Sequence, residues 1–313
     1  MQFRILGLVE VQDEQTGLQI LPTGAKQRAL LGALVVKAGR NVCVQRLIDE
    51  LWGEHPPGNA ANALQVHVAR LRRLLSGPQP RQDGRPDQHA QRPWIETTPR
   101  GYTLRLAPAE TDAACFQHLT DQGRRVLGSD PGQAGELLCR ALSLWRGPAL
   151  EGSVLGDICA LEAARLEEHR LTALEMMYDA YLRTGRHGEI TGELVELTTD
   201  HPLRERFYAL LMVAFYRCGR QAEALGVYDR ARGRLARELG VEPSPALRGL
   251  MQAILHHDPA LATALAPADA GADDALRPLG EEMARLHRRI ERLQREQNQL
   301  LCRFNELAAS TAP

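Results

Sequence analysis

The chain has 313 residues, 44% of them hydrophobic, enough to fill the cores of two domains and too many for a chain disordered throughout. Its net charge of −1 hides a polarity: residues 1–105 carry 14 Lys and Arg against 9 Asp and Glu, the remainder 24 against 30, so the N-terminal part is the one suited to phosphate. No apolar run reaches the roughly 18 residues of a membrane span, and the six Cys lack Cys-x-x-Cys spacing, which predicts reduced core thiols in a cytosolic protein.

Phe3 to Val11 and Leu18 to Leu21 have strand composition and are separated by the polar turn Gln12 to Gly17, predicting a small N-terminal sheet. Thr23 is a capping candidate for a first helix that turns Leu30, Leu31, Leu34 and Val35 inward and closes at Gly39. Lys26 and Arg28 lie in its first turns, where free backbone N–H groups favour an anion. They are candidate contacts to a DNA phosphate, with ordinary surface charge as the alternative. Val44 to Trp52 reads as a second helix, broken by Gly53 to Gly58 with its two prolines. From Asn59 to Leu75, the apolar Leu64, Val68, Leu71 and Leu75 recur at helical steps and make one buried stripe. The opposite side carries Gln65, Ala69, Arg70, Arg72 and Arg73, side chains suited to a major groove that small Ala69 lets come close. Residues 76–92 hold almost no apolar residue and read as a flexible loop. Trp94 to Thr98 and Gly101 to Leu106 are strand-like runs joined by Pro99 and Arg100. Helix, turn, helix, hairpin is the order of a winged helix-turn-helix DNA-binding domain, here assigned to residues 1–107.

The next 154 residues, 108–261, read as helices in pairs. Tyr181, Arg183, Gly185, Arg186 and Glu189 are matched 34 residues on by Phe215, Arg217, Gly219, Arg220 and Glu223, and 34 is the tetratricopeptide period. The pairing predicted is 112–127 with 131–144, 157–183 with 187–199, and 203–218 with 221–239, closed by 245–255. Such stacks bury helix faces and present a groove to a partner. Residues 262–278 are rich in Ala, Asp and Pro and read as a linker. Beyond it Leu279, Leu286, Leu293, Leu300 and Leu307 are spaced by seven, with Met283, Ile290, Gln297 and Phe304 four residues after the first four. This a/d seam over 279–308 predicts an amphipathic helix, either a parallel coiled coil or a helix folding back on its own chain.

The runs Gly24-Ala-Lys-Gln-Arg-Ala-Leu-Leu31, Leu47-Ile-Asp-Glu-Leu-Trp-Gly-Glu-His-Pro-Pro57, Leu64-Gln-Val-His-Val-Ala-Arg-Leu-Arg-Arg-Leu-Leu75 and Gly101-Tyr-Thr-Leu104 resemble the winged domain of the Streptomyces antibiotic regulatory protein family, itself similar to the OmpR/PhoB-type domain. Phe116, Ala141-Leu-Ser-Leu-Trp-Arg-Gly-Pro-Ala-Leu150, His201-Pro-Leu-Arg-Glu-Arg206, Gly219-Arg-Gln-Ala-Glu-Ala-Leu225 and Leu239-Gly-Val-Glu-Pro243 resemble the bacterial transcriptional activator domain that follows in that family. The resemblance covers residues 1–261 and does not extend to the leucine row. It implies a transcriptional activator of a secondary-metabolite gene cluster that binds tandem direct repeats in double-stranded promoter DNA and recruits RNA polymerase holoenzyme. It also implies site roles: Gln65, Val66 and Arg70 on base edges, with Asn62 beside them, His67, Arg72 and Arg73 on phosphates, and Arg100 at the wing tip. Ala69 departs from the polar residue often found at its position.

The fold expected is thus mainly α with a small β component: a winged helix-turn-helix, a tetratricopeptide-like all-α domain, and a C-terminal amphipathic helix whose seam predicts a homodimer. His169, His256 and His257 lack a second ligand at zinc spacing, and there is no Gly-rich phosphate loop and no Gly-x-Ser-x-Gly or His-Glu-x-x-His motif. No metal, cofactor or catalytic site is expected. The competing reading is a repeat-based adaptor for a protein or small ligand, with the winged domain used for protein contacts.

Overall fold

The computed structural model describes residues 1–13, 17–76, 94–107, 110–154 and 156–262. The loop predicted over 76–92, the linker and the leucine row lie, apart from Ser76 and Ala262, outside the described residues.

The N-terminal strand prediction needs a correction. Phe3 to Val11 is not one strand but two, β1 (Gln2–Arg4) and β2 (Glu10–Gln12), paired antiparallel with Phe3 opposite Val11. The chain folds back at Gly7, whose φ of 135° is closed to other residues. The turn is held from outside: the Asp112 carboxylate accepts the N–H groups of Ile5 and Leu6 at 2.9–3.1 Å. β3 (Gln19–Ile20) completes this sheet in the order β1-β2-β3.

α1 (Ala25–Val36) buries Leu30, Leu31, Leu34 and Val35 as the spacing predicts. Its cap is Gly24 rather than Thr23, whose hydroxyl instead donates to the Gln27 side chain at 3.1 Å. At the other end Gly39, at φ 74°, donates to the Leu104 carbonyl and ties the helix exit to the wing. α2 (Val44–Trp52) and α3 (Ala60–Leu75) follow, then the hairpin β5 (Ile95–Thr98) and β6 (Gly101–Leu104). The sequence reading missed β4 (Val42–Cys43), two residues that pair with β6 to give the order β4-β6-β5. This pairing explains Gly101: a Cβ there would run into the Val42 carbonyl.

The all-α region stacks α4 (Asp112–Val126), α5 (Pro131–Leu142), α6 (Asp157–Arg183), α7 (Thr191–Asp200), α8 (Glu205–Arg217), α9 (Gln221–Leu239) and α10 (Pro245–Leu255), followed by the single turn α11 (Pro259–Ala262). The 34-residue repeat is a repeated piece of local chemistry. Arg186 stacks on Tyr181 at 4.1 Å and Arg220 on Phe215 at 4.4 Å, and the two guanidiniums pair with Glu189 and Glu223 respectively. Between them Gly185 and Gly219 take φ of 81° and 75°, ending each first helix in the left-handed conformation.

The winged and helical regions share one hydrophobic core. Gly32 of α1 leaves the space that Leu150 fills, and Cys159 of α6 lies against Ala29. Of the described Cys only Cys159 is buried. Cys43 and Cys139 are exposed, which corrects the expectation of core thiols for those two.

Candidate nucleic-acid interface

α3 is a cylinder with two chemistries. Leu64, Val68, Leu71 and Leu75 are at most 3% exposed and pack it on the domain, and the Asn59 side chain caps it by accepting the Asn62 N–H. Asn62, Gln65, Val66, Ala69, Arg70 and Arg73 are exposed at steps of three and four, so they form one solvent-facing stripe along the opposite side. No acidic residue interrupts it. A stripe of amide, methyl and guanidinium groups matches what base edges and phosphates offer in a major groove. Val66, 49% exposed, presents an apolar side chain on this stripe.

The structure gives three of the predicted phosphate residues other work. Arg72 turns back toward the wing: Nε and Nη2 donate to the Ile95 carbonyl at 3.1 and 2.9 Å, Nη2 donates to Thr97 Oγ1 at 2.7 Å, and the guanidinium faces the Tyr102 ring at 6.0 Å. It ties α3 to the hairpin. Arg28 donates through Nε to the Gly152 carbonyl at 2.6 Å and through Nη1 to the Pro22 carbonyl, bridging to the helical region. His67 is half-buried, tilted against Trp52 with centroids 6.0 Å apart, and its buried Nδ1 has no hydrogen-bond partner among the described residues. Burial first, then the neighbouring charges of Arg70 and Lys26, hold its pKa below 6.5, so the ring is the neutral, packing form at neutral pH.

Lys26 sits over the Trp52 ring at 5.1 Å. Lys26, Trp52 and His67 thus join α1, α2 and α3 in one contact cluster at the edge of the stripe. Arg73 and Arg70, by contrast, are exposed with no ion pair to a described residue, as is Arg100 at the wing tip, held in place by the Thr98 hydroxyl accepting the Gly101 N–H at 3.1 Å.

The sequence reading did not find the groups that lock this surface to the rest of the chain. Glu50 of α2 is 2% exposed and accepts the N–H groups of Ile158 and Cys159 at 2.7 and 3.0 Å, capping α6 from another domain. Asp112 binds the β1–β2 turn on one side and Arg146 Nη2 at 3.1 Å on the other, and Arg146 also reaches Glu10 at 2.7 Å. Burial pushes the Asp112 carboxyl above its ordinary range, while its backbone donors and Arg146 pull it back. The signal for Glu50 was present: it lies three residues after Leu47 and one before Leu51, on the inward side of α2.

Comparison with known proteins agrees with this architecture. Residues 111–255 match the family described as bacterial transcriptional activator domain, and residues 19–84 that described as transcriptional regulatory protein, C terminal. The chain is 41% identical over 261 residues to the transcriptional regulator RedD of Streptomyces coelicolor, covering 83% of this chain and 72% of RedD. It is 36% identical to the regulatory protein DnrI of Streptomyces peucetius, covering 94% of that protein. The regulatory protein AfsR of Streptomyces coelicolor is 42% identical over 283 residues, but the chain spans only 26% of its length. A solved structure of Mycobacterium tuberculosis EmbR, in complex with a low-affinity phosphopeptide, superposes with a TM-score of 0.74 at 32% identity, covering 84% of this chain and 67% of EmbR.

Proposed function

Since the chain belongs to the Streptomyces antibiotic regulatory protein family of DNA-binding transcriptional activators, we propose that it reads promoter DNA with the exposed stripe of α3 and activates a secondary-metabolite gene cluster. The observation that carries this reading is the unbroken row Asn62, Gln65, Val66, Ala69, Arg70 and Arg73, exposed on a helix whose other face is buried. In the major groove Gln65, Val66 and Arg70 face base edges and Arg73 a phosphate, while Arg100 enters the adjacent minor groove. Lys26, on the Trp52 ring, approaches the backbone at the end of the same surface.

The operator is a tandem direct repeat bound by two copies, the helical region contacts RNA polymerase holoenzyme, and the leucine row at 279–307 holds the copies together as a homodimer. The protein acts in the cytoplasm on nucleoid DNA and has no enzymatic activity. No described helix is long and apolar enough to cross a membrane.

Footprinting of the purified protein on promoters beside its own gene, followed by titration of the footprinted site against random DNA, tests this. Arg70→Ala is expected to cost about 1–3 kcal/mol on the specific site and little on random DNA. Equal losses on both would remove base reading from the stripe, and an absence of salt-sensitive DNA binding would remove the whole reading.

A further inference from the structure

The wing ends in a tight reversal: Thr98 pairs with Gly101, so Pro99 and Arg100 alone make the hairpin loop. Two-residue loops that match the right-handed twist of their strands need a positive φ at the first loop position. Pro99 cannot supply one, because its ring locks φ near about −65°, and Arg100 is not among the residues with positive φ. The turn is therefore of the kind that splays its strands apart, and groups outside the loop must hold the tip.

Three residues do so. Thr98 Oγ1 accepts the Gly101 N–H at 3.1 Å and donates to the Gly101 carbonyl at 3.2 Å. It also accepts the side-chain amide of Asn41, the residue before β4, and that amide reaches the Thr103 hydroxyl of β6 at 3.5 Å. This one hydroxyl has its donor and both acceptor positions in use. From the other side the first N–H of α2, that of Val44, donates to the Arg100 carbonyl at 3.2 Å. The backbone of the tip is thus fixed before and after Arg100, while the Arg100 side chain stays exposed.

We infer that Asn41 and Thr98 are positioning residues for the minor-groove contact: they set the direction of Arg100, so that the wing discriminates narrow A·T-rich flanks from wider ones. A guanidinium gains most where the groove is narrow and its negative potential deepest, but only if it arrives pointed along the groove. A tip free to swing would have to be ordered on binding, or would settle on the nearest phosphate, which is the same on every sequence. The inference rests on the DNA-reading function proposed above and assigns the selectivity of the wing to hydrogen bonds made outside its two-residue loop.

The test titrates the full chain on the footprinted operator carrying an A·T-rich or a G·C-rich flank at the wing, and follows hydrogen exchange of the free protein. The parent prefers the A·T flank, and Arg100→Ala abolishes the preference. Thr98→Val, which keeps the shape and loses the hydroxyl, and Asn41→Ala each reduce the preference about threefold, the cost of ordering one long side chain. Thr98→Ser restores it, and Asn41→Ala added to Arg100→Ala changes it no further. In the free protein the Gly101 N–H exchanges faster in Thr98→Val and Asn41→Ala than in the parent. A preference that both variants leave intact, a parent without one, or equal losses on both flanks with a smaller salt slope, which would make Asn41 a phosphate contact, overturns the inference. Each of those results leaves salt-sensitive operator binding standing, whereas a parent that binds no DNA removes the proposed function and this inference with it. Exchange that neither variant alters refutes the pinned tip without any DNA. Asn41 is exposed, so its variant keeps the test decisive should Thr98→Val fold poorly.

Discussion

Arg72→Ala separates what α3 does as a scaffold from what it does as a reader. The side chain makes three hydrogen bonds to β5 and faces Tyr102. Two of those bonds share the Ile95 carbonyl, so the set counts as about two charged hydrogen bonds, each of order 1.5–3 kcal/mol when buried. The residue is half-exposed, and screening takes away a large part of this. The net loss expected is about 2 kcal/mol, which for a body of this size lowers Tm by roughly 4–8 °C. Arg73→Ala, one residue on and exposed, is expected to stay within about 0.5 kcal/mol. Urea titration of both variants gives the stabilities, and hydrogen exchange over residues 94–104 shows the hairpin loosening only in Arg72→Ala. DNA binding reads the other half: Arg73→Ala should reduce the slope of affinity against salt by about one phosphate, while Arg72→Ala lowers affinity with the slope unchanged. A slope reduced by Arg72→Ala, with stability and hairpin exchange as in the parent, would refute the assignment and return Arg72 to the phosphates.

Glu50→Ala leaves two buried N–H groups of α6 without an acceptor and is expected to cost about 3 kcal/mol, with Glu50→Gln intermediate. Urea unfolding followed by two probes checks it, and a loss under 1 kcal/mol would mean that water replaces the carboxylate. His67, with its pKa held below 6.5, binds fewer protons folded than unfolded. Its contribution is therefore present above pH 6.5 and lost as pH falls from there through the depressed folded value, and His67→Gln should flatten the stability profile in that window. Deleting residues 280–313 should turn a dimer into a monomer that binds the same repeats only at higher protein concentration. Sedimentation with operator titration decides it, and an unchanged mass and affinity would assign the leucine row to its own chain.

Much of this architecture is written in local pattern. The step of Leu64, Val68, Leu71 and Leu75 specifies both that α3 is a helix and which side it buries, because burial of a 3.6-residue stripe needs no knowledge of the partner. The ranges 157–183, 221–239 and 245–255 likewise follow from capping and breaking residues at their ends, and the match of Tyr181 and Arg186 to Phe215 and Arg220 is a contact made within each turn. The break at Gly7 was less legible, since glycine permits a reversal without requiring one, and what requires it here is Asp112, 105 residues away.

The sequence by itself therefore determined the long helices, to within four residues at the start of α7, the buried side of α3, the 34-residue repeat and the order of wing and repeats. It did not determine the pairing of 157–183 with 187–199, since α6 packs chiefly on α5 and α7 on α8. Only the tertiary structure decided which arginines are engaged within the fold. Arg70, Arg72 and Arg73 are alike in composition and adjacent on the chain, yet Arg72 is drawn to a carbonyl 23 residues on and Arg28 to one 124 residues on. A long guanidinium side chain goes to whichever acceptor is fixed within its reach, and the fixed acceptors at Ile95 and Gly152 exist only after the wing and the helical stack have closed against the first three helices.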